Sequence, residues 1–169
     1  DYIIENFGEQ DMPFFIGGHP GFNCPIDQQG KYEDYHIKFE KEETCTIPTP
    51  ITKSGLIDIN KRHSLLNQQK ILPLKHELFE EDAIILDQLQ SRKVTLASSK
   101  SHHKVTVDYK DFPYLILWSS QNHGPFIAIE PWLGLSTCLD ESDIFDEKRN
   151  IQYVKSLRTN TYSYSIIID

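Results

Sequence analysis

Two short segments of the chain carry residue types suited to proton transfer. Phe126-Ile127-Ala128-Ile129-Glu130-Pro131-Trp132 reads as an apolar strand that delivers one carboxylate beside an aromatic neighbour. Far upstream, Ile16-Gly17-Gly18-His19-Pro20-Gly21-Phe22-Asn23 holds a histidine between glycines and a proline. A carboxylate and an imidazole, each on a rigid element, suit a general base and general acid pair. Plainer readings stand beside this one. Glu130 at a strand end can simply point to solvent, with Pro131 expected to stop ladder pairing there. His19 in a loop can be structural or exposed. Yet a carboxylate on an apolar strand is costly to bury unless it is hydrogen-bonded or used. The glycines around His19 let the backbone approach a ligand closely, and the proline stiffens the loop.

Other side chains are secondary candidates. Asp82 precedes the apolar run Ala83-Ile84-Ile85-Leu86 and suits either a sugar hydroxyl or a turn. Trp118 and Trp132 suit stacking on a pyranose ring or ordinary core packing. His102 and His103 are adjacent, so on a strand their side chains diverge. The remaining histidines show no ligand spacing, and no metal is expected. The Gly-Gly-His-Pro-Gly segment is not followed by a helical pattern, so it is not a dinucleotide loop.

The elements that must position these residues are strands. Period-two alternation marks Tyr35 to Glu40, Val94 to Ser98, Lys104 to Tyr109 and Tyr162 to Ile168. Tyr114 to Trp118 is uniformly apolar, as for a strand buried on both faces. Asp1 to Asn6 already looks like a strand in progress, which suggests a piece of a longer polypeptide. Turn chemistry separates the runs at Gly17-Gly18, Asp27 to Gly30, Pro48 to Pro50, Asp111 to Pro113 and Asn122 to Pro125. Helical candidates are few: Lys61 to Gln69, and a single turn within Ser142 to Lys148. The pattern is all-β with long loops, which favours a sandwich of one domain over residues 1–169.

Composition narrows the partners. A net charge of −8 over 169 residues argues against nucleic acid and against anionic membrane surfaces. Cys24, Cys45 and Cys138 are widely spaced and odd in number, so free buried thiols are expected rather than disulfides. No apolar run approaches the roughly 18 residues of a membrane helix, and no signal peptide opens the chain. These features together predict a cytoplasmic protein.

In combination and order, the motifs resemble a known family. Pro13 to Phe22 is similar to the histidine loop of the galactose mutarotase-like (aldose 1-epimerase) superfamily. Asp82 to Leu86 resembles its aspartate-bearing strand, and Pro125 to Trp132 its glutamate strand, most like the bacterial LacX-type branch. The resemblance implies a large antiparallel β-sandwich, the supersandwich, with this chain as its C-terminal half. It implies mutarotation of a hexose, with Glu130 as base and His19 as acid, no cofactor, and a small sugar as partner. Asp82 would bond sugar hydroxyls, and Phe22, Trp118 and Trp132 would wall the pocket. A second pocket histidine and the basic residues that help hold the sugar would come from the other half. The chain alone is therefore expected to be inactive and poorly stable. Two rivals are a hexose-6-phosphate mutarotase and a non-catalytic carbohydrate-binding sandwich. A purely structural β-domain is favoured only if His19 and Glu130 lie far apart.

Overall fold

A computed structural model describes residues 1–27 and 30–169. Of the expected turn at 27–30, residues 28 and 29 lie outside the described residues. Two antiparallel sheets face each other across one core. The first has four strands in the order β3 (Gly21–Asn23), β10 (Phe126–Trp132), β9 (Tyr114–Trp118) and β6 (Ile84–Leu86). The second has five, in the order β13 (Ser165–Ile168), β8 (Val105–Asp108), β7 (Lys93–Ser98), β4 (Tyr35–Ile51) and β5 (Leu56–Pro73). Two ribbons complete the chain: β1 (Tyr2–Glu5) with β12 (Thr159–Tyr162), and β2 (Met12–Phe14) with β11 (Gln152–Val154).

Alternation decides what each sheet buries. From the four-stranded sheet, Ile84, Leu86, Leu115, Leu117, Ile127 and Ile129 enter the core. Ile37, Phe39, Val94, Leu96, Val105 and Val107 meet them from the five-stranded sheet. The opposite face of the four-stranded sheet carries a smaller apolar cluster that includes Ile85, Ile116 and Cys138. The expected all-β sandwich is thus observed, and all three cysteines are free and buried. No helix of the described residues is long and apolar enough to cross a membrane.

Three expectations about elements are corrected. Lys61 to Gln69 is not helical but part of β5, because the edge of β4 offers it ladder partners between Glu43 and Pro48. Tertiary pairing overrides a weak local preference here. Tyr162 to Ile168 is not one strand. It breaks at Ser163 and Tyr164, where the chain leaves β1 and joins β8, and the Ser163 N–H donates to Asp111 Oδ2 at 2.8 Å. Pro131 does not end β10, which pairs with β9 as far as Trp132. The single turn expected near Ser142 is present as a 3-10 turn at Phe145–Glu147.

The β4–β5 hairpin reaches from one sheet to the other. Register shifts interrupt it at several points between Lys38 and Thr49, and bulges of this kind bend a ribbon. Its far end docks beside the four-stranded sheet. There the Ile57 N–H donates to Thr137 O at 3.0 Å and the Leu139 N–H donates to Ile57 O at 2.9 Å.

Leu115 is fully buried at the centre of the core. Leu115→Ala is expected to lower the unfolding free energy by about 2–5 kcal/mol in chemical denaturation.

Candidate active site

Strand register brings the two proton-transfer candidates together. β3 pairs with β10 through Phe22↔Ile127 and Gly21↔Ala128, and the bridge Gly17↔Trp132 continues the same register. Between these points the register sets His19 opposite Glu130. Cross-strand neighbours of this kind lie side by side on one face of a sheet. His19 Nε2 stands 3.3 Å from Glu130 Oε1. Glu130 in turn pairs with Ile116, and Ile116 with Ile85. One row across the sheet therefore reads His19, Glu130, Ile116, Ile85.

That row explains the electrostatics. Glu130 is only 2% exposed, whereas His19 is 62% exposed. Burial beside isoleucines disfavours the carboxylate and pushes Glu130 up to about 7, while His19 and the Trp132 indole pull in the other direction. The carboxyl is therefore poised to exchange a proton near neutrality.

The row floors a cavity of about 280 Å³. Trp118 and Trp132, on neighbouring rows of the same face, wall it, and Asp82 and Ala83 close another side. The Trp118 ring meets the His19 ring edge-on at 6.0 Å. Asp82 adopts φ 112°, a left-handed conformation rarely taken by side chains other than glycine, and its Oδ1 accepts the Ala83 N–H at 2.9 Å. Strain of this kind costs about 1–3 kcal/mol and gathers at functional sites.

Of the residues predicted for the site, His19, Glu130, Asp82, Trp118 and Trp132 converge, and Phe22 does not. Phe22 pairs with Ile127, so alternation turns it to the opposite face, where it packs on the core. Its place on the cavity wall is corrected accordingly. The far end of the β4–β5 hairpin supplies wall residues that sequence reasoning missed, Pro50, Ile51, Leu56 and Ile57, together with Ser136. The turn expected at Pro48 to Pro50 is corrected: these residues end β4, paired with Arg62, Asp58 and Ile57, and the turn follows at residues 52–55. Nothing local signals that it reaches the other sheet. Among the described residues, no three His, Cys, Asp or Glu side chains converge as a metal-binding set.

The histidine loop is held by an exchange of donors. The register sets Gly18 opposite Pro131, and the Gly18 N–H donates to Pro131 O at 2.9 Å. Proline has no N–H to return the bond. The Trp132 indole N–H reaches Gly18 O instead, at 3.2 Å. To do so the indole lies over Gly17, where a Cβ would fall 2.4 Å from Trp132 Cδ1. Glycine is therefore required at 17 by close approach.

This sandwich, with a histidine and a buried carboxylate paired across its four-stranded sheet, is the galactose mutarotase-like fold. It superposes with a TM-score of 0.88 on a galactose mutarotase related enzyme from Lactobacillus acidophilus, at 27% identity, covering 99% of this chain and 55% of that one. A galactose mutarotase-like protein from Lactobacillus casei gives a TM-score of 0.85 at 28% identity, covering 99% and 57%. In sequence the chain is similar to the chromosomal and plasmid LacX proteins of Lactococcus lactis subsp. lactis, each 50% identical over 160 residues. The match covers 95% of this chain and 54% of either relative, so the chain spans about half the length of the curated proteins it matches. No family sequence model matches it.

Two outcomes test this geometry. Gly17→Ala should displace the Trp132 indole, seen as a shift in tryptophan fluorescence and loss of the His19–Glu130 contact by NMR. Glu130 should also make stability depend on pH. Its folded value of about 7 exceeds the ordinary 4.5, so the native state holds a proton that the unfolded chain loses between these values. Stability should fall as pH rises through that window and level off above about 7. Glu130→Gln should lack this fall, and its melting temperature relative to the parent should rise from acid to neutral pH.

Proposed function

We propose that the chain carries the proton-transfer half of an aldose 1-epimerase, interconverting the α and β anomers of a hexose. The observation that carries this reading is the 3.3 Å contact between a buried Glu130 and an accessible His19 on a cavity floor. Mutarotation needs a base at the anomeric hydroxyl and an acid at the ring oxygen. Both oxygens are bonded to the same carbon, so acid and base must stand close together. Glu130 takes the hydroxyl proton as the C1–O5 bond breaks, and His19 protonates the ring oxygen. The open aldehyde rotates about C1–C2. On reclosure the protons return by the reverse path, and the other anomer leaves. His19, being exposed, is the partner free to swing toward the ring oxygen. In this reading Asp82 bonds sugar hydroxyls, and Trp118 and Trp132 pack against the ring.

The whole site is proposed to need the rest of a larger sandwich, of which this chain forms the C-terminal part. In keeping with this, Ile166 and Ile168 share the face of β13 that continues the core beside Val107 and Val105, yet both are exposed. A phosphorylated hexose is the less favoured substrate. The cavity adjoining Asp82 offers Lys61 and His63, but Glu77, Glu80 and Glu81 line it too. Arg62 is engaged by Asp87, with its Nη2 2.6 Å from Asp87 Oδ1.

The test is anomer exchange by NMR or polarimetry on the full-length protein, across aldoses and aldose phosphates. Glu130→Gln and His19→Asn should each lower the rate by about 100- to 10,000-fold with the fold intact. The parent rate should fall as pH drops below about 7 and Glu130 takes up its proton. Sugar binding without exchange would replace the enzyme by a carbohydrate-binding module, and parental rates in both variants would remove the proposed pair.

A further inference from the structure

The histidine loop is restrained on its second face by a residue that does not touch the cavity. Alternation sends Gly17 and His19 to the site face and Gly18 to the core face. There a Cβ built on Gly18 would lie 2.7 Å from the Tyr164 hydroxyl oxygen, and 2.8 and 2.9 Å from ring atoms Cε1 and Cζ. Tyr164 sits in the break between β12 and β13, half-buried against the core. Its ring lies 6.1 Å from that of Tyr2 and meets Phe112 edge-on at 5.8 Å. Phe112 is fully buried. The ring is thus backed by packed core and presents its hydroxyl edge to the Gly18 backbone.

We propose that Tyr164 is a positioning residue for His19. The loop needs one. Gly17 and Gly18 are the least restrained residues a chain can have, and the Pro131 N–H that would normally pin Gly18 does not exist. Trp132 holds Gly18 from the site face through its indole N–H. Tyr164 blocks the opposite direction, so the loop cannot sink toward the core and draw His19 away from Glu130. Tyr164 also explains why position 18 is glycine, as Trp132 explains position 17. The break in the last strands, which no local signal predicts, is what turns Tyr164 back toward the loop. The consequence for catalysis rests on the proposed acid–base pair, and the consequence for His19 position does not.

The experiment uses the full-length protein, with His19 imidazole resonances assigned by their loss in His19→Asn. In Tyr164→Ala those resonances should move toward free-histidine values. The kcat for anomer exchange should fall about ten- to a hundred-fold, as expected for a slightly misplaced catalytic group, with KM little changed. Tyr164→Phe, which keeps the ring against Gly18, should hold the resonances near their parental positions. Gly18→Ala should disturb His19 as strongly, and adding Tyr164→Ala should restore part of the loss by making room for the new Cβ. Tyr164→Leu keeps apolar volume in the core and serves if the alanine variant does not fold. Parental His19 resonances in the alanine or leucine variant would overturn the proposal. Shifted resonances in a protein without anomer exchange would uphold the positioning and overturn the acid–base reading.

Discussion

A buried carboxylate with one exposed partner is the constraint on which the rest of the structure depends. Glu130 is 2% exposed on a strand whose neighbours at that level are Ile116 and Ile85. Removing a carboxylate from water is expensive, and a protein meets that cost by pairing the group, protonating it or both. Here the pairing comes from His19 and the protonation from a value raised to about 7. Each answer is also what proton transfer at neutral pH demands. The energetic liability and the proposed chemistry therefore have the same origin.

Holding His19 in that place uses the sheet rather than the loop. The loop follows the register of β3 against β10, so the imidazole arrives opposite the carboxylate as an ordinary cross-strand neighbour. Pro131 removes one ladder donor at the critical level, and the indole of the next residue replaces it. The replacement works only because Gly17 leaves room for the indole. Four residues, two glycines and a Pro-Trp pair, are thereby one device. A strict backbone ladder would hold the loop equally well, but it would not fix an aromatic wall beside His19 and Glu130 through the same bond.

Much of this was legible in the sequence. The all-β class followed from period-two runs separated by turn residues, because burying one face of a sheet demands alternation. Glu130 stood out because a carboxylate on an apolar strand is costly to bury without a use, and His19 because glycines and a proline set it in a stiff loop that a ligand can approach. The same alternation argument, carried one step further, would have excluded Phe22, which shares a strand with Gly21 but faces the other way. Lys61 to Gln69 was misread because its polar, weakly patterned sequence does not choose between helix and strand. The edge of β4 chose for it.

Residue types, order and period thus determined the all-β class, most strands and their core-facing positions, and marked His19 and Glu130 as candidates for one site. The tertiary structure alone decided the rest. It set the 3.3 Å contact between residues more than a hundred positions apart, the bend that carries the β4–β5 hairpin over to the site, and the break that sets Tyr164 behind Gly18. The division has a physical reason. Alternation and turn preference act between near neighbours in the chain and leave a local trace. Register, desolvation and close approach arise between distant segments, and exist only once those segments have packed.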